Sequence, residues 1–142
     1  MAAKLVSGLM HSRTQAHIFH LRTKSFAAHK ALQGYYEGIV PLLDEYSEGY
    51  QGRYGLISGY KSAPVSQNPM MAKAYFSRLL KIVNGTKIKD SYLKNILDTI
   101  RQLIYQTLYL LTLDSKSATR TKSKAVSMKA RQNHRIPTSR NT

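Results

Sequence analysis

The sequence predicts an all-α fold. A four-helix bundle over residues 1–113, with a long crossover between the second and third helices, leads into a basic, extended C-terminal tail over residues 114–142. Three observations carry this reading. Apolar residues recur at helical spacing through four separate stretches. No stretch alternates as a β-strand would. From Ser115 to Thr142 there are eight cations, no acid and no helical stripe.

Each element follows from its residues. The stretch Ala3 to Leu21 contains no proline, and Leu5, Leu9, Ile18 and Leu21 supply its apolar face. A second helix is expected from Ser25 to Tyr50, with Phe26, Leu32, Tyr36, Ile39, Leu43 and Tyr46 at helical spacing. Pro41 lies inside it and predicts a kink, because the ring removes one backbone bond. Gly52 and Gly55 are the expected stop. Residues 52–68 hold three Gly and one Pro among Ser, Tyr and Gln, which suits a crossover segment. Asn68-Pro69 starts the third helix, with Asn as cap and Pro at the first position, and Asn84-Gly85 ends it. The fourth runs from Asp90-Ser91 to about Leu113. Leu93, Ile96, Ile100, Leu103, Thr107 and Leu111 form its stripe, and Leu97, Ile104 and Leu108 widen it. Four helices with one long crossover is the ferritin-like arrangement.

Composition narrows the functional classes. The 142 residues suit one domain with one core. There is no cysteine, so disulfides and cysteine-based zinc sites are excluded. No apolar run approaches the roughly 20 residues of a membrane helix, and the N-terminus is a poor signal peptide. A protein made and kept inside a cell, or built into an assembly there, is expected, with no membrane partner. No G-x-S-x-G, P-loop, H-E-x-x-H or C-x-x-C spacing occurs, which leaves hydrolase and P-loop chemistry without support. Charge is the stronger signal. Lys and Arg number 22 against 7 acids, a net charge of +15, beyond the roughly 2–8 of a small domain. Such an excess favours a polyanionic partner.

The tail concentrates that charge. Lys116, Arg120, Lys122, Lys124, Lys129, Arg131, Arg135 and Arg140 are interspersed with nine Ser or Thr. A segment this polar buries too little to offset its ordering entropy by itself. It suits an arm that binds DNA through phosphates, independently of sequence and with strong salt dependence. An arm reaching across neighbouring proteins of a particle, or a solvated tail, has the same composition. The ten tyrosines, among them Tyr35, Tyr36, Tyr46, Tyr50, Tyr54 and Tyr60, fit half-buried bundle positions or stacking on nucleobases.

Metal-ligating chemistry centres on His17, His20 and His29, three of the five histidines. On the second helix, His29, Gln33, Glu37, Asp44 and Glu48 fall within about 100° of one face. Asp44 and Glu48 are i, i+4 neighbours. Histidine with carboxylate suits iron, manganese or zinc. His29 and Asp44 are 15 residues apart, about 22 Å along a helix, so one ion reaches both only if two copies pair antiparallel across a two-fold axis. Such a site predicts a homo-oligomer paired through the second helix. The alternative role of His17 and His20 is hydrogen bonding at a helix end.

The run from Phe19 to Leu32, F-H-x-x-T-K-S-F-A-x-H-K-A-L, followed by Tyr36 and Asp44-x-x-x-Glu48, resembles the first two helices of Dps-type mini-ferritins. It is most similar to Dps-like proteins of tailed phages and large DNA viruses. The resemblance implies a ferroxidase site shared between subunits, with iron as the metal. It places His29 as the second histidine, Asp44 and Glu48 as the acid pair, and His17 or His20 as the first histidine. The sequence departs from the pattern at Gln33, where the family has another acid, and at Leu21, where a Trp is common. Neutral Gln is a poor ligand for a hard cation, and the set that remains is enough for one ion. The resulting expectation is a phage structural or assembly protein, located in the virion or host cytoplasm, whose arm contacts nucleic acid or neighbouring virion proteins. The alternative is an iron-oxidising, DNA-protecting enzyme.

Overall fold

The computed structural model describes residues 2–113. These form four helices: α1 (Ala2–Arg22), α2 (Phe26–Tyr54), α3 (Ala72–Gly85) and α4 (Ser91–Thr112). A short 3-10 turn, Pro69–Met71, leads into α3. No strand occurs among the described residues, and none of their helices is long and apolar enough to cross a membrane. The expected tail and its eight cations lie outside the described residues.

The helices pack in a ring, α1 on α2, α2 on α4, α4 on α3 and α3 on α1. The N-termini of α1 and α4 share one end of the bundle with the C-termini of α2 and α3. Tyr54 at the end of α2 reaches Asp90 at the start of α4 there, and Ala2, Tyr50 and Lys81 line one cleft. Every helix is therefore antiparallel to both neighbours. Getting from the end of α2 to the start of α3 requires a full traverse of the bundle, which residues 55–68 make alongside α1. The Lys61 amide donates to Ser7 Oγ at 3.0 Å, and the Pro64 carbonyl lies 2.9 Å from His11 Nε2. The Gln15 amide group pairs with both backbone groups of Ser66, at 2.7 and 2.9 Å. Arg22 then donates to the Gln67 carbonyl. Gln15 is fully buried, so these two bonds supply Ser66 with the partners a sheet or helix would otherwise provide.

Caps fix the boundaries. Ser25 Oγ accepts the Ala28 amide and starts α2; Asn68 Oδ1 accepts the Met70 amide. The α2 helix runs one turn past the expected Tyr50 end. Of the two expected stop residues Gly52 remains helical, and Gly55, at φ +93°, ends the helix. The helix is continuous across Pro41, which lies on its exposed side, where the carbonyl that loses its donor does not have to be buried.

The core sharpens the predicted stripes. On α4 the buried residues are Leu93, Leu97, Ile100, Ile104, Thr107 and Leu111. This alternating 4–3 spacing centres the face on Leu97 and Ile104, and Ile96 and Leu103 flank it. On α1 the buried line runs through Leu5, Leu9, Ser12, Ala16 and Phe19; Leu21 is 70% exposed and Ile18 half-buried. Phe26 is likewise 75% exposed. The buried places on these two helices include the small residues Ser12, Ala16, Ala28 and Ala31. Three buried hydroxyls find partners: Tyr35 meets Ser12 Oγ at 2.6 Å, Ser12 donates to the Leu9 carbonyl, and Thr107 donates to the Leu103 carbonyl; the buried Ser47 hydroxyl has none among the described residues. Close approach of α2 and α4 depends on Gly38 and Gly49, where an added Cβ would stand 3.3 Å from Leu103 and Leu93 methyls.

Candidate functional site

Three of the predicted metal-ligating residues meet at the α1–α2 corner. The His20 and His29 rings stack with centroids 3.6 Å apart. Their bonds are reciprocal: His20 Nδ1 lies 2.7 Å from the His29 carbonyl, and His29 Nδ1 lies 2.9 Å from the His20 carbonyl. Carbonyls only accept, so each Nδ1 carries a proton and each Nε2 is left without a partner inside the chain. The pair closes the corner by bonding the otherwise orphaned His20 carbonyl at the end of α1. His17 stacks on Tyr36 at 4.3 Å and meets the His20 ring edge-on at 5.9 Å.

Asp44 and Glu48 lie further along α2, both exposed, and neither forms an ion pair among the described residues. Gln33 bonds Glu37 at 3.0 Å. Among the described residues no three His, Asp or Glu side chains of one chain come together to hold an ion. A single chain therefore does not bring the ligands of an iron centre together: His17 and His20 lie at the end of α1 and His29 at the start of α2, with the acid pair further along α2.

Charge is sorted by side. Residues 2–36 and 49–89 contain no acid, so α1, the crossover, α3 and the α3–α4 loop as far as Lys89 are wholly basic or neutral. They carry nine cations: Lys4, Arg13, Arg22, Lys61, Lys73, Arg78, Lys81, Lys87 and Lys89. None is in an ion pair within the described residues. Among the described residues the acids sit on α2 (Glu37, Asp44, Glu45 and Glu48), at the cap of α4 (Asp90) and on α4 (Asp98).

Two concavities open on the basic side. One, of about 740 Å³, lies between α1, α3 and the crossover, with Lys4, Lys61 and Arg78 around an Ala–Leu–Ile floor. At its edge His11 Nδ1 meets the Tyr75 hydroxyl at 2.7 Å; burial pushes the Tyr75 hydroxyl pKa up, with Arg78 opposing. The other, of about 810 Å³, caps the bundle end and shares Lys4 and Ile82 with the first. Its cations are Lys4, Arg53, Lys81, Lys87 and Lys89, and its wall is Tyr46, Tyr50 and Tyr54. The three rings follow one another up α2 at i, i+4 spacing, 6.3 and 4.8 Å apart. Arg53 lies 4.7 Å over the Tyr54 ring. Asp90 is occupied by the Tyr54 hydroxyl and by Arg53 at 3.7 Å. Burial pushes Tyr46 up to about 12. The hydrogen bond to the Asp90 carboxylate raises Tyr54. Both rings are therefore neutral at physiological pH.

Sequence reasoning singled out the three tyrosines without joining them to Lys81, Lys87 and Lys89. The available signals were the i, i+4 Tyr ladder and the basic Thr86-Lys-Ile-Lys89 run that follows α3 directly.

The comparisons with known proteins agree with a phage connection. Over 111 residues the chain is 31% identical to the "uncharacterized 14.6 kDa protein in mobD-ri intergenic region" of Enterobacteria phage T4, covering 75% of this chain and 84% of that protein. No solved structure matches this chain. The model of a family of unknown function, DUF5856, matches residues 20–111, a span that runs from the histidine corner through α4. The chain belongs to the DUF5856 family.

Proposed function

We propose that this chain is a non-enzymatic phage protein that associates with nucleic acid. In this reading a ferritin-like bundle serves as an oligomerising scaffold, and the basic tail is its arm. The observation that carries the proposal is the sorting of charge: an acid-free side built from α1, the crossover and α3, in a chain whose last 28 residues add eight cations. Unpaired cations gathered on one side favour a polyanion, whose bound counterions are released on contact. The antiparallel ring with its full-length crossover supports the ferritin-like classification. The T4 relative supports a place in the phage particle or in the infected cell.

Duplex DNA binding is expected to weaken steeply between 50 and 200 mM salt, on the order of 10³-fold if about six phosphates are engaged. It is expected to fall further on truncation after Asp114. Binding that ignores both salt and truncation sinks the proposal. A native mass equal to the chain mass removes the oligomer.

A second reading has one observation in its favour. His20 and His29 hold their Nδ1 protons on carbonyls, which is the arrangement that orients a metal-binding imidazole. In that reading Asp44 and Glu48 of a second copy complete a Dps-type iron site with His17, His20 and His29. Ferrous iron added anaerobically, then exposed to oxygen, is oxidised no faster than in buffer if this reading is wrong.

A further inference from the structure

We infer that the cleft at the α2 C-terminal end of the bundle binds single-stranded nucleic acid, with a base against the tyrosine wall and phosphates on the surrounding lysines. This rests on the nucleic-acid reading above but assigns a site in the bundle, separate from the tail.

Three features select a single strand. The first is shape. A cleft of about 810 Å³ has the size that encloses a small organic group. A duplex keeps its bases stacked inside and presents a convex backbone; a single strand can turn a base inward. The second is chemistry. Lys81, Lys87 and Lys89 line the cleft with Lys4 and Arg53 beside Tyr50 and Tyr54, the combination of cations and aromatic rings that single-strand sites use. A lone phosphate would need the cations without the rings. The third is field. Two helix N-termini and two C-termini meet at this end, so their partial charges largely offset. Side chains then set the potential. The one carboxylate beside the cleft, Asp90, is already engaged by Tyr54 and Arg53. Lys4 and Ile82 border both concavities, which gives the strand a continuous basic path toward Lys61 and Arg78.

The test uses the full chain and a fluorescently labelled (dT)12, compared with a duplex of equal length by anisotropy across a salt series. Lys87→Glu with Lys89→Glu alters two exposed loop positions and leaves the core untouched. Single-strand affinity is expected to drop about tenfold or more, with a salt slope shallower by about 1.4 for two lost phosphate contacts, and duplex affinity is expected to change less than twofold. Tyr54→Ala is expected to weaken (dT)12 about fivefold or more at unchanged salt slope, while Tyr54→Phe, which keeps the ring, binds like the parent. Lys122→Gln, Lys124→Gln, Lys129→Gln and Arg131→Gln together, in the tail, are expected to weaken single strand and duplex alike.

Single-strand binding within twofold of the parent in the Lys87/Lys89 variant overturns the cleft and leaves the tail reading intact. Poly-glutamate displacing (dT)12 as well as unlabelled (dT)12 does overturns it in favour of an acidic polypeptide. A parent chain that binds neither single strand nor duplex ends this inference and the nucleic-acid reading together.

Discussion

The two ends of the bundle use polar residues in opposite ways. At the α1–α2 corner, His20 and His29 are tied to each other's backbone. At the other end, Lys81, Lys87 and Lys89 line an open cleft with no carboxylate bound to any of them. A polar group whose bonds are all internal holds the fold; one left unpaired in a concavity is free for a partner. The corner is thus a structural clasp in a single chain, although its histidines are the residues whose chemistry is most conspicuous in the sequence.

Substitutions at the two ends break or sharpen that contrast. The largest stability effect is expected for His20→Ala, which removes a buried ring, its stack on His29 and its Nδ1 bond to the His29 carbonyl. The expected loss is about 2–3 kcal/mol in urea unfolding, with DNA affinity unchanged. Gln15→Ala comes next. It leaves the Ser66 amide and carbonyl without partners, and the expected loss is about 1–3 kcal/mol. Alkaline titration gives a smaller, graded effect. Burial raises Tyr35, Tyr46 and Tyr75 above the ordinary tyrosine value. Unfolded tyrosines ionise near 10 while these stay protonated, so their contribution is complete below about pH 10 and is lost as pH rises through the folded values. Tyrosinate absorbance should therefore rise in step with loss of helicity. Smallest of all, Lys87→Ala with Lys89→Ala should leave the melting midpoint unmoved, as expected for unpaired surface cations. A large shift would mean that the cleft end is also structural.

Much of the architecture was legible because it depends on spacing and caps. Ser25, Asn68-Pro69 and the α4 apolar run mark their helices without tertiary information. Leu21 and Phe26 are exposed because they flank the turn between α1 and α2, and hydrophobicity alone does not show that the buried places go to Ser12, Ala16 and Ala28. Gln15 was not legible at all: its partner, Ser66, is 51 residues away, and nothing local distinguishes a buried Gln from a surface one. The cleft divided in the same manner. Its tyrosines were visible as a ladder, but Lys4 and Lys81 come from separate helices and only folding brings them together.

The crossover has a consequence for how this protein breathes. It contains no helix before Pro69, yet the Ser66 amide is held by a fully buried side chain. Hydrogen exchange at Ser66 should accordingly be as slow as in the helical core. Ser58, Gly59 and Ala63, exposed in the same segment, should exchange quickly. A slow Ser66 amide beside fast exposed positions would mark where the chain is pinned to α1, and it would be released only when α1 itself opens.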